Sequence, residues 1–206
     1  RTMTENEAKA ELSAHGLDCP KRVSGPFEDI VNQSKSLRAP LAVKGVGLAH
    51  KTDSGGVLLG LDHKKLAEAA AQIGTAEILV EEMATGGVAE LLIGVTRDPA
   101  HGFVLTLGSG GVLTEVLRDT AHLLLPVTGD DVRAALDTLA LAPLLHGYRG
   151  KPAANIDAIV AAVSAIQTYV LAHAATLSEV EVNPLICTPE RAVAVDALIQ
   201  LAQEAT

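Results

Sequence analysis

The sequence predicts a mixed α/β or α+β fold. Short apolar runs, which are typical of strands, alternate along the 206 residues with segments of helical periodicity. The clearest helical segment places apolar residues three and four apart between residues 156 and 170, which gives one buried face. Glycine-rich stretches separate many of the apolar runs, as turns do. This alternation favours layered strands and helices over an all-helical bundle.

The first part of the chain is predicted to start with a helix. Thr4 and Glu7 have the spacing of a capping box, and Gly16 is expected to end the helix that they begin. Residues 17–23 are predicted to be a connection, and Pro26 to open the next helix. The segments predicted here are helices over residues 5–15, 27–37 and 64–73 and strands over residues 41–43, 57–59 and 78–83.

The second part is predicted to begin at a hinge, Thr85-Gly86-Gly87. Further strands are expected over residues 88–97, 103–107, around 122–125, 177–182 and 192–196. Residues 112–117 fit a strand or a short helix. Helices are predicted over residues 130–139, with Thr128 as cap, from Asn155 or Asp157 onward, and over residues 197–205.

Composition excludes some classes of function. The formal net charge is -9, and no basic cluster exceeds two residues, which argues against nucleic acid binding. No apolar run reaches the ~18 residues of a membrane helix, and the start of the chain shows no signal-peptide pattern. Cys19 and Cys187 stand far apart without CxxC partners, as in a reducing compartment. We therefore expect a cytoplasmic protein that binds neither nucleic acid nor membrane.

A glycine-rich loop over residues 44–60 is the first candidate site. Gly45, Gly47, Gly55 and Gly56 allow the backbone to approach a ligand closely, and Lys44 and Lys51 bring positive charge. Backbone N–H groups together with ammonium groups suit a polyphosphate. The spacing matches neither a Walker loop nor a dinucleotide fingerprint. A flexible surface hairpin remains the alternative interpretation.

The final hairpin is the second candidate site. Strand alternation puts Glu179, Glu181 and Asn183 on one face. If the return strand pairs with this one, Asn183 and Asp196 direct oxygens into one cleft. A carboxylate with an amide oxygen suits Mg²⁺, which takes its other ligands from water and phosphate. A solvent-facing acidic hairpin is the alternative.

Two single residues also suggest chemistry. Glu90 stands within an apolar strand, where a carboxylate is costly unless it is exposed or engaged, for example by a ribose hydroxyl. His50 lies in the glycine loop beside Lys51 and Asp53, and imidazole can accept a phosphoryl group. An exposed strand-edge Glu90 and a loop histidine without a role are the alternatives.

These motifs, in this order, resemble a known family. The chain is similar to the ATP-grasp domain, or beta subunit, of the nucleoside-diphosphate-forming acyl-CoA synthetases, relatives of the succinyl-CoA synthetase beta subunit. The matching stretches cover nearly the whole chain and are residues 41–44, 50–57, 79–83, 90–99, 107–115, 147–150 and 179–185.

The resemblance implies an ATP-grasp fold of two lobes, residues 1–83 and 84–206, with a nucleotide cleft between them. It implies Mg²⁺ as cofactor and ATP or ADP as substrate. The glycine loop would belong to the first lobe and the metal-binding hairpin to the second. The implied residues are Lys44 and His50 as catalytic groups, Lys44, Gly55, Gly56, Glu81, Glu82, Met83 and Glu90 around the nucleotide, and Asn183 and Asp196 on the metal.

The implied reaction converts acyl-CoA, ADP and phosphate to a carboxylic acid, ATP and CoA through a phosphohistidine. The family's principal phosphohistidine lies in CoA-binding and CoA-ligase (alpha-type) domains, which this chain lacks, so we expect those domains as partners. Two alternatives stay open: a non-catalytic nucleotide-sensing module, and an ATP-grasp ligase that joins a carboxylate to an amine.

Overall fold

The computed structural model of the chain describes residues 1–47, 55–111 and 119–202, and these form two compact units. One unit is Pro20–Ala84, and the other combines Arg1–Cys19 with Thr85–Thr206. In chain order the elements are α1 (Glu5–Ala14), β1 (Arg22–Pro26), α2 (Phe27–Gln33), β2 (Leu41–Gly45), β3 (Val57–Leu61), α3 (Leu66–Ile73), β4 (Glu77–Glu82), β5 (Ala89–Asp98), β6 (Gly102–Ser109), β7 (Thr120–Leu124), α4 (Gly129–Asp137), α5 (Ala142–Leu145), α6 (Ile156–Ala172), β8 (Leu177–Cys187), β9 (Ala192–Ala194) and β10 (Ala197–Leu201).

The smaller unit is a four-stranded antiparallel sheet with strand order β1-β4-β2-β3. Helices α2 and α3 pack on this sheet. Its core joins Ile30 and Leu66 of these helices to Leu41, Val43 and Val80 of the central strands. β2 is buried along its whole length, which places the start of the glycine loop directly after a rigid strand.

The larger unit is built on a sheet of order β10-β8-β5-β6-β7, with β9 also paired to β8. Alternate residues of β5 from Ala89 to Val95 are buried, and Leu91, Ile93 and Val95 are fully so, which makes this face of the sheet part of the core. The long helix α6 covers this core with the apolar stripe that its sequence predicts. Among the described residues, no helix has the length and apolarity to cross a membrane.

Helix α1 is confirmed, including its capping box: Thr4 and Glu7 each bond the backbone N–H of the other. The expected division placed residues 1–83 in one lobe. In the structure the smaller unit ends one residue later, at Ala84, and Arg1–Cys19 belongs to the larger unit. The physical reason is burial, because Ala8 and Leu12 of α1 are fully enclosed in the core of that unit.

Two sequence predictions differ from the structure. The prediction of a C-terminal helix over residues 197–205 is wrong, because Ala197–Leu201 forms strand β10, which pairs antiparallel with β8. Ala197 and Ile199 are buried while Leu198 between them is partly exposed, which is the period of a strand. The strand β1, Arg22–Pro26, was not predicted: it begins in the expected connection over residues 17–23 and runs up to Pro26, where a helix was expected to open. Residues 112–117 and 203–206 lie outside the described residues.

Candidate functional site

Lys44 lies near the end of β2 and forms an ion pair with Glu81 of the neighbouring strand β4. Ala42 is the direct partner of Glu81 in this antiparallel pair, so Lys44 is a diagonal neighbour of Glu81 on one face. Lys44 Nζ lies 2.6 Å from Glu81 Oε1, and the two side chains are 8% and 2% exposed. This charge-assisted hydrogen bond fixes both groups. The pairing depends on strand register, which the sequence does not show.

The end of β4 is tied to the chain that precedes β2. The carboxylate of Glu82 accepts the backbone N–H of Arg38 at 3.0 Å. The backbone N–H of Met83 donates to the carbonyl of Pro40 at 2.9 Å. The N–H of Gly60 lies 3.0 Å from the thioether sulfur of Met83. These bonds hold Glu82 and Met83, predicted to face a nucleotide base, in one place.

The described ends of the glycine loop keep the conformations that glycine permits. Gly47 and Gly55 have φ angles of 84° and 71°, where a side chain is strained. The N–H of Gly45 donates to the carbonyl of Gly56 at 2.9 Å and closes the loop at its base. His50, the predicted phosphoryl acceptor, lies outside the described residues, as do residues 48–54 as a whole.

Asn183 lies at a β-bulge in the larger unit. Leu91 pairs with Leu185 and Ile93 with Val182, so two residues of β8, Asn183 and its proline neighbour, stand against one residue of β5. Bulges re-aim side chains and are common beside functional sites. The amide oxygen of Asn183 accepts the backbone N–H of Gly111 at 2.9 Å, which orients the amide.

The predicted alternation of Glu179, Glu181 and Asn183 on one face agrees with their interactions. Burial raises the pKa of Glu181, while a hydrogen bond from the Asn183 side chain lowers it and the charge of Glu179 raises it further. Asn183 therefore bonds on both sides, as donor to Glu181 and as acceptor from Gly111. Its rotamer is fixed by two partners.

Asp196 lies in the two-residue gap between β9 and β10, opposite Asn183. The β8–β9 and β8–β10 pairings share one register, so the position across from Asn183 is that of Asp196. Directly opposed residues share a face and have Cβ atoms about 4.5–5.5 Å apart. Asp196 Oδ1 also accepts the N–H of Ala197 at 2.9 Å. The strand pairing on which the sequence prediction depended is therefore present.

The chemistry of Asn183 and Asp196 fits a magnesium ion. Their amide and carboxylate oxygens are hard ligands, and Mg²⁺ binds through few protein groups while it keeps waters and takes phosphate oxygens. Within residues 1–47, 55–111 and 119–202 no group of three or more His, Cys, Asp or Glu could hold a metal. A dedicated all-protein cage is therefore not found in that part of the chain, whereas a two-ligand site that relies on phosphate is compatible with it.

Glu90 is exposed on β5, and its carboxylate reaches Gly111, the last residue of the Gly-Ser-Gly-Gly run over residues 108–111. A Cβ atom built on Gly111 would clash with the Glu90 carboxylate, and one on Gly110 would lie 2.5 Å from the backbone of Leu91. Gly111 thus lies beside Glu90 and donates a hydrogen bond to Asn183. The Gly-Ser-Gly-Gly run in the sequence predicts a loop but neither of these two neighbours.

The Cys187 thiol is not a nucleophile. Burial, and secondarily the charge of Glu90, raises its pKa to about 12.

The chain is similar to known proteins over nearly its whole length. The pattern of the ATP-grasp domain matches residues 1–201. The beta subunit of ADP-forming acetate–CoA ligase II from Pyrococcus furiosus is 29% identical over 216 residues, which cover 97% of this chain and 91% of that protein. The ADP-forming acetate–CoA ligase of Methanocaldococcus jannaschii is 30% identical over 203 residues, 91% of this chain but 29% of that longer protein.

Solved structures give the same result. A chain of dinucleotide-forming acetyl-coenzyme A synthetase 1 from Ca. Korarchaeum cryptofilum, in complex with coenzyme A, Ca-AMPCP and HgCl⁺, superposes with a TM-score of 0.90 at 29% identity. The superposition covers 98% of this chain and 94% of that one. The same synthetase with coenzyme A and Mg-AMPPCP, its phosphohistidine segment pointing towards the nucleotide binding site, gives 0.87 at 31% identity, over 98% and 93% of the two chains.

Proposed function

Because the chain belongs to the ATP-grasp domain family, we propose that it is the nucleotide-binding domain of an ADP-forming acyl-CoA synthetase. It has the mixed α/β ATP-grasp fold, and its match to a complete beta subunit runs over nearly the full length of both chains. The observation that supports the proposal most directly is the strand register, in which the position of Asp196 falls across from that of Asn183.

The proposed reaction is acyl-CoA + ADP + phosphate ⇌ carboxylic acid + ATP + CoA. In the step assigned to this chain, the P–N bond of a phosphohistidine breaks and a β-phosphate oxygen of ADP takes the phosphoryl group, or the reverse. Phosphoryl transfer of this kind depends on positioning and charge neutralisation. The Korarchaeum synthetase supports this, since its phosphohistidine segment points towards a site that holds Mg-AMPPCP.

Each site residue receives a role within this proposal. The Lys44 ammonium has three donors and would hold phosphate oxygens beside its bond to Glu81. Gly55 and Gly56 would let the loop approach the phosphates, and Glu82 and Met83 would contact the base. Two further roles are proposed: Glu90 on the ribose or phosphate region and His50 as a relay for the phosphoryl group.

Asn183 and Asp196 would hold Mg²⁺, through the amide oxygen and the carboxylate. Mg²⁺, when bound, supplies charge neutralisation to the β- and γ-phosphate oxygens. The chain's own contribution is to hold the two ligands. The bulge re-aims Asn183, and bonds to Glu181 and Gly111 keep its amide from rotating.

The proposed partners are CoA-binding and CoA-ligase (alpha-type) domains. The Methanocaldococcus relative supports this, because the match covers 29% of its length and leaves room for further domains in one polypeptide. The Pyrococcus relative is a separate beta subunit of similar length to this chain. The phosphohistidine and the CoA site would come from those partner domains, whether fused or separate.

Isothermal calorimetry on the 206-residue chain tests the nucleotide site. We expect Mg-ADP and Mg-ATP to bind to the wild type, and Asp196→Asn to weaken binding when Mg²⁺ is present. Lys65→Met, which removes an exposed lysine of the same unit as Lys44, should bind like the wild type. Absence of binding at millimolar nucleotide, in a sample that circular dichroism shows to be folded, would refute the proposal.

The relay role of His50 needs a separate experiment. His50→Asn, assayed together with the partner domains, should slow ATP formation from acyl-CoA while Mg-ADP still binds. Acid-labile phosphate on His50 during turnover would support the relay. Unchanged turnover would remove His50 from the mechanism and leave the nucleotide site intact.

A further inference from the structure

Helix α1 carries a buried ion pair that none of the roles above uses. Lys9 Nζ lies 2.7 Å from Glu5 Oε1, one turn away on the same helix. The side chains are 0% and 4% exposed. Two charges taken out of water cost more than their attraction returns unless further polar groups are satisfied. A stability role alone therefore gives a weak reason for the pair.

The lysine makes a second bond, far away in the sequence. Lys9 Nζ donates to the backbone carbonyl of Val195 at 2.7 Å. Val195 lies in the gap between β9 and β10, and the next residue is Asp196. The Lys9 ammonium, on the N-terminal helix, therefore binds the residue that immediately precedes a proposed metal ligand in the sequence.

The reason for this bond lies in β8. Antiparallel residues of a hydrogen-bonded pair exchange two N–H···O bonds. Val195 faces Pro184 in register and donates its N–H to the Pro184 carbonyl at 3.2 Å. The return bond cannot form, because proline has no N–H. The Lys9 ammonium supplies the donor that Pro184 lacks.

We propose that Lys9 is a positioning residue for Asp196. By replacing the missing strand bond, its ammonium holds the backbone at Val195 in register, and this keeps the Asp196 carboxylate across from Asn183. Glu5 neutralises the buried charge and keeps the ammonium aimed at the carbonyl. The inference rests on the proposed function in one respect, since it takes Asn183 and Asp196 as the ligands of Mg²⁺.

The test separates positioning from stability by comparing variants. Lys9→Met removes the donor but keeps the buried Glu5 carboxylate, which loses the ammonium 2.7 Å away. The double variant Glu5→Met/Lys9→Met removes both charges, and replacing a buried pair with apolar side chains is often neutral for stability. Leu12→Ala is the matched control, because it opens a cavity in the same helix and core but keeps the Lys9 ammonium.

The readouts are Tm and the Mg²⁺ concentration that half-saturates ADP binding in calorimetry. We expect the double variant to melt near the wild type but to need on the order of tenfold more Mg²⁺, the typical effect of losing support behind a metal ligand. ADP binding without Mg²⁺ should not change. Leu12→Ala should melt earlier and keep the wild-type Mg²⁺ requirement.

Two results overturn the inference. One is a wild-type Mg²⁺ requirement in the double variant, and the other is an equal shift in Leu12→Ala, which would make the effect one of stability. Asp196→Asn distinguishes the two proposals. If it leaves the Mg²⁺ requirement unchanged, the metal assignment fails and this inference with it. If it raises the requirement while the double variant does not, the positioning role alone fails.

Discussion

Removing the ammonium of Lys44 should destabilise the smaller unit strongly. In Lys44→Met the Glu81 carboxylate, 2% exposed, stays buried after its 2.6 Å partner is gone. Breaking a buried ion pair from one side costs about 3–5 kcal/mol of unfolding free energy. Domains have about 5–15 kcal/mol in total, so the unit should be close to unfolding. Removing both charges should restore it, and we expect Lys44→Met/Glu81→Met to match or exceed the wild type.

The measurement has to report on the smaller unit alone. Both tyrosines, Tyr148 and Tyr169, lie in the larger unit, and the chain has no tryptophan. Tyrosine or tryptophan fluorescence therefore does not report on the smaller unit. Native-state amide hydrogen exchange at the central residues Val43 and Val80 gives the opening free energy of the sheet directly. Lys65→Met, an exposed charge removal in the same unit, should stay within about 0.5 kcal/mol of the wild type.

Two outcomes would refute this reasoning. If Lys44→Met lowers the unfolding free energy by less than about 1 kcal/mol, the ion pair contributes no more than a solvent-exposed pair does. If the double variant is as unstable as the single variant, the lost term is packing of the lysine stem and not charge. The double variant also separates function from stability. We expect it to be folded and to have lost affinity for Mg-ADP, because the phosphates lose an ammonium while the sheet stays intact.

Two more predictions concern the larger unit. Gly111→Ala should lower the unfolding free energy, measured in urea, by about 1–2 kcal/mol because of its left-handed backbone, and by a further amount because the new methyl group displaces the Glu90 carboxylate. Gly86→Ala, at a similar φ but in open space, should show the backbone cost alone. Equal losses in the two variants would exclude the contact between residue 111 and Glu90. Burial raises the pKa of Glu181 in the folded state above its value in the unfolded state. The protonated carboxyl group therefore stabilises the fold fully at pH values below the unfolded-state pKa, and this stabilisation is lost as pH rises through the folded-state pKa. Glu181→Gln should remove this part of the dependence of Tm on pH, and an unchanged profile would contradict it.

Much of the fold follows from local patterns. The capping box of α1 and the apolar stripe of α6 act within a few residues, so the sequence predicts them. β10 does not follow from such patterns, because Ala197–Leu201 is rich in helix-forming residues and becomes a strand by pairing with β8. Tertiary contact overrides propensity here.

The site is predictable to a similar extent. Residue type and strand alternation single out Asn183 and Asp196, and the register puts the two positions across from each other. Their role as metal ligands stays a proposal. The pairing of Lys44 with Glu81 could not be predicted, because it depends on the register of two strands more than thirty residues apart. Lys9 gives a partial signal through its spacing of four from Glu5, but nothing in the sequence points to Val195.

The path of the chain has a consequence for synthesis. The smaller unit, Pro20–Ala84, interrupts the larger one, whose first residues pair with its final strand through the Thr2–Gln200 bridge. A ribosome that adds about 5–20 residues per second releases the smaller unit well before β10 exists. On the order of ten seconds therefore pass between the synthesis of helix α1 and that of β10, the strand that helps to enclose it. In that interval Ala8 and Leu12 lack the core that buries them in the folded protein.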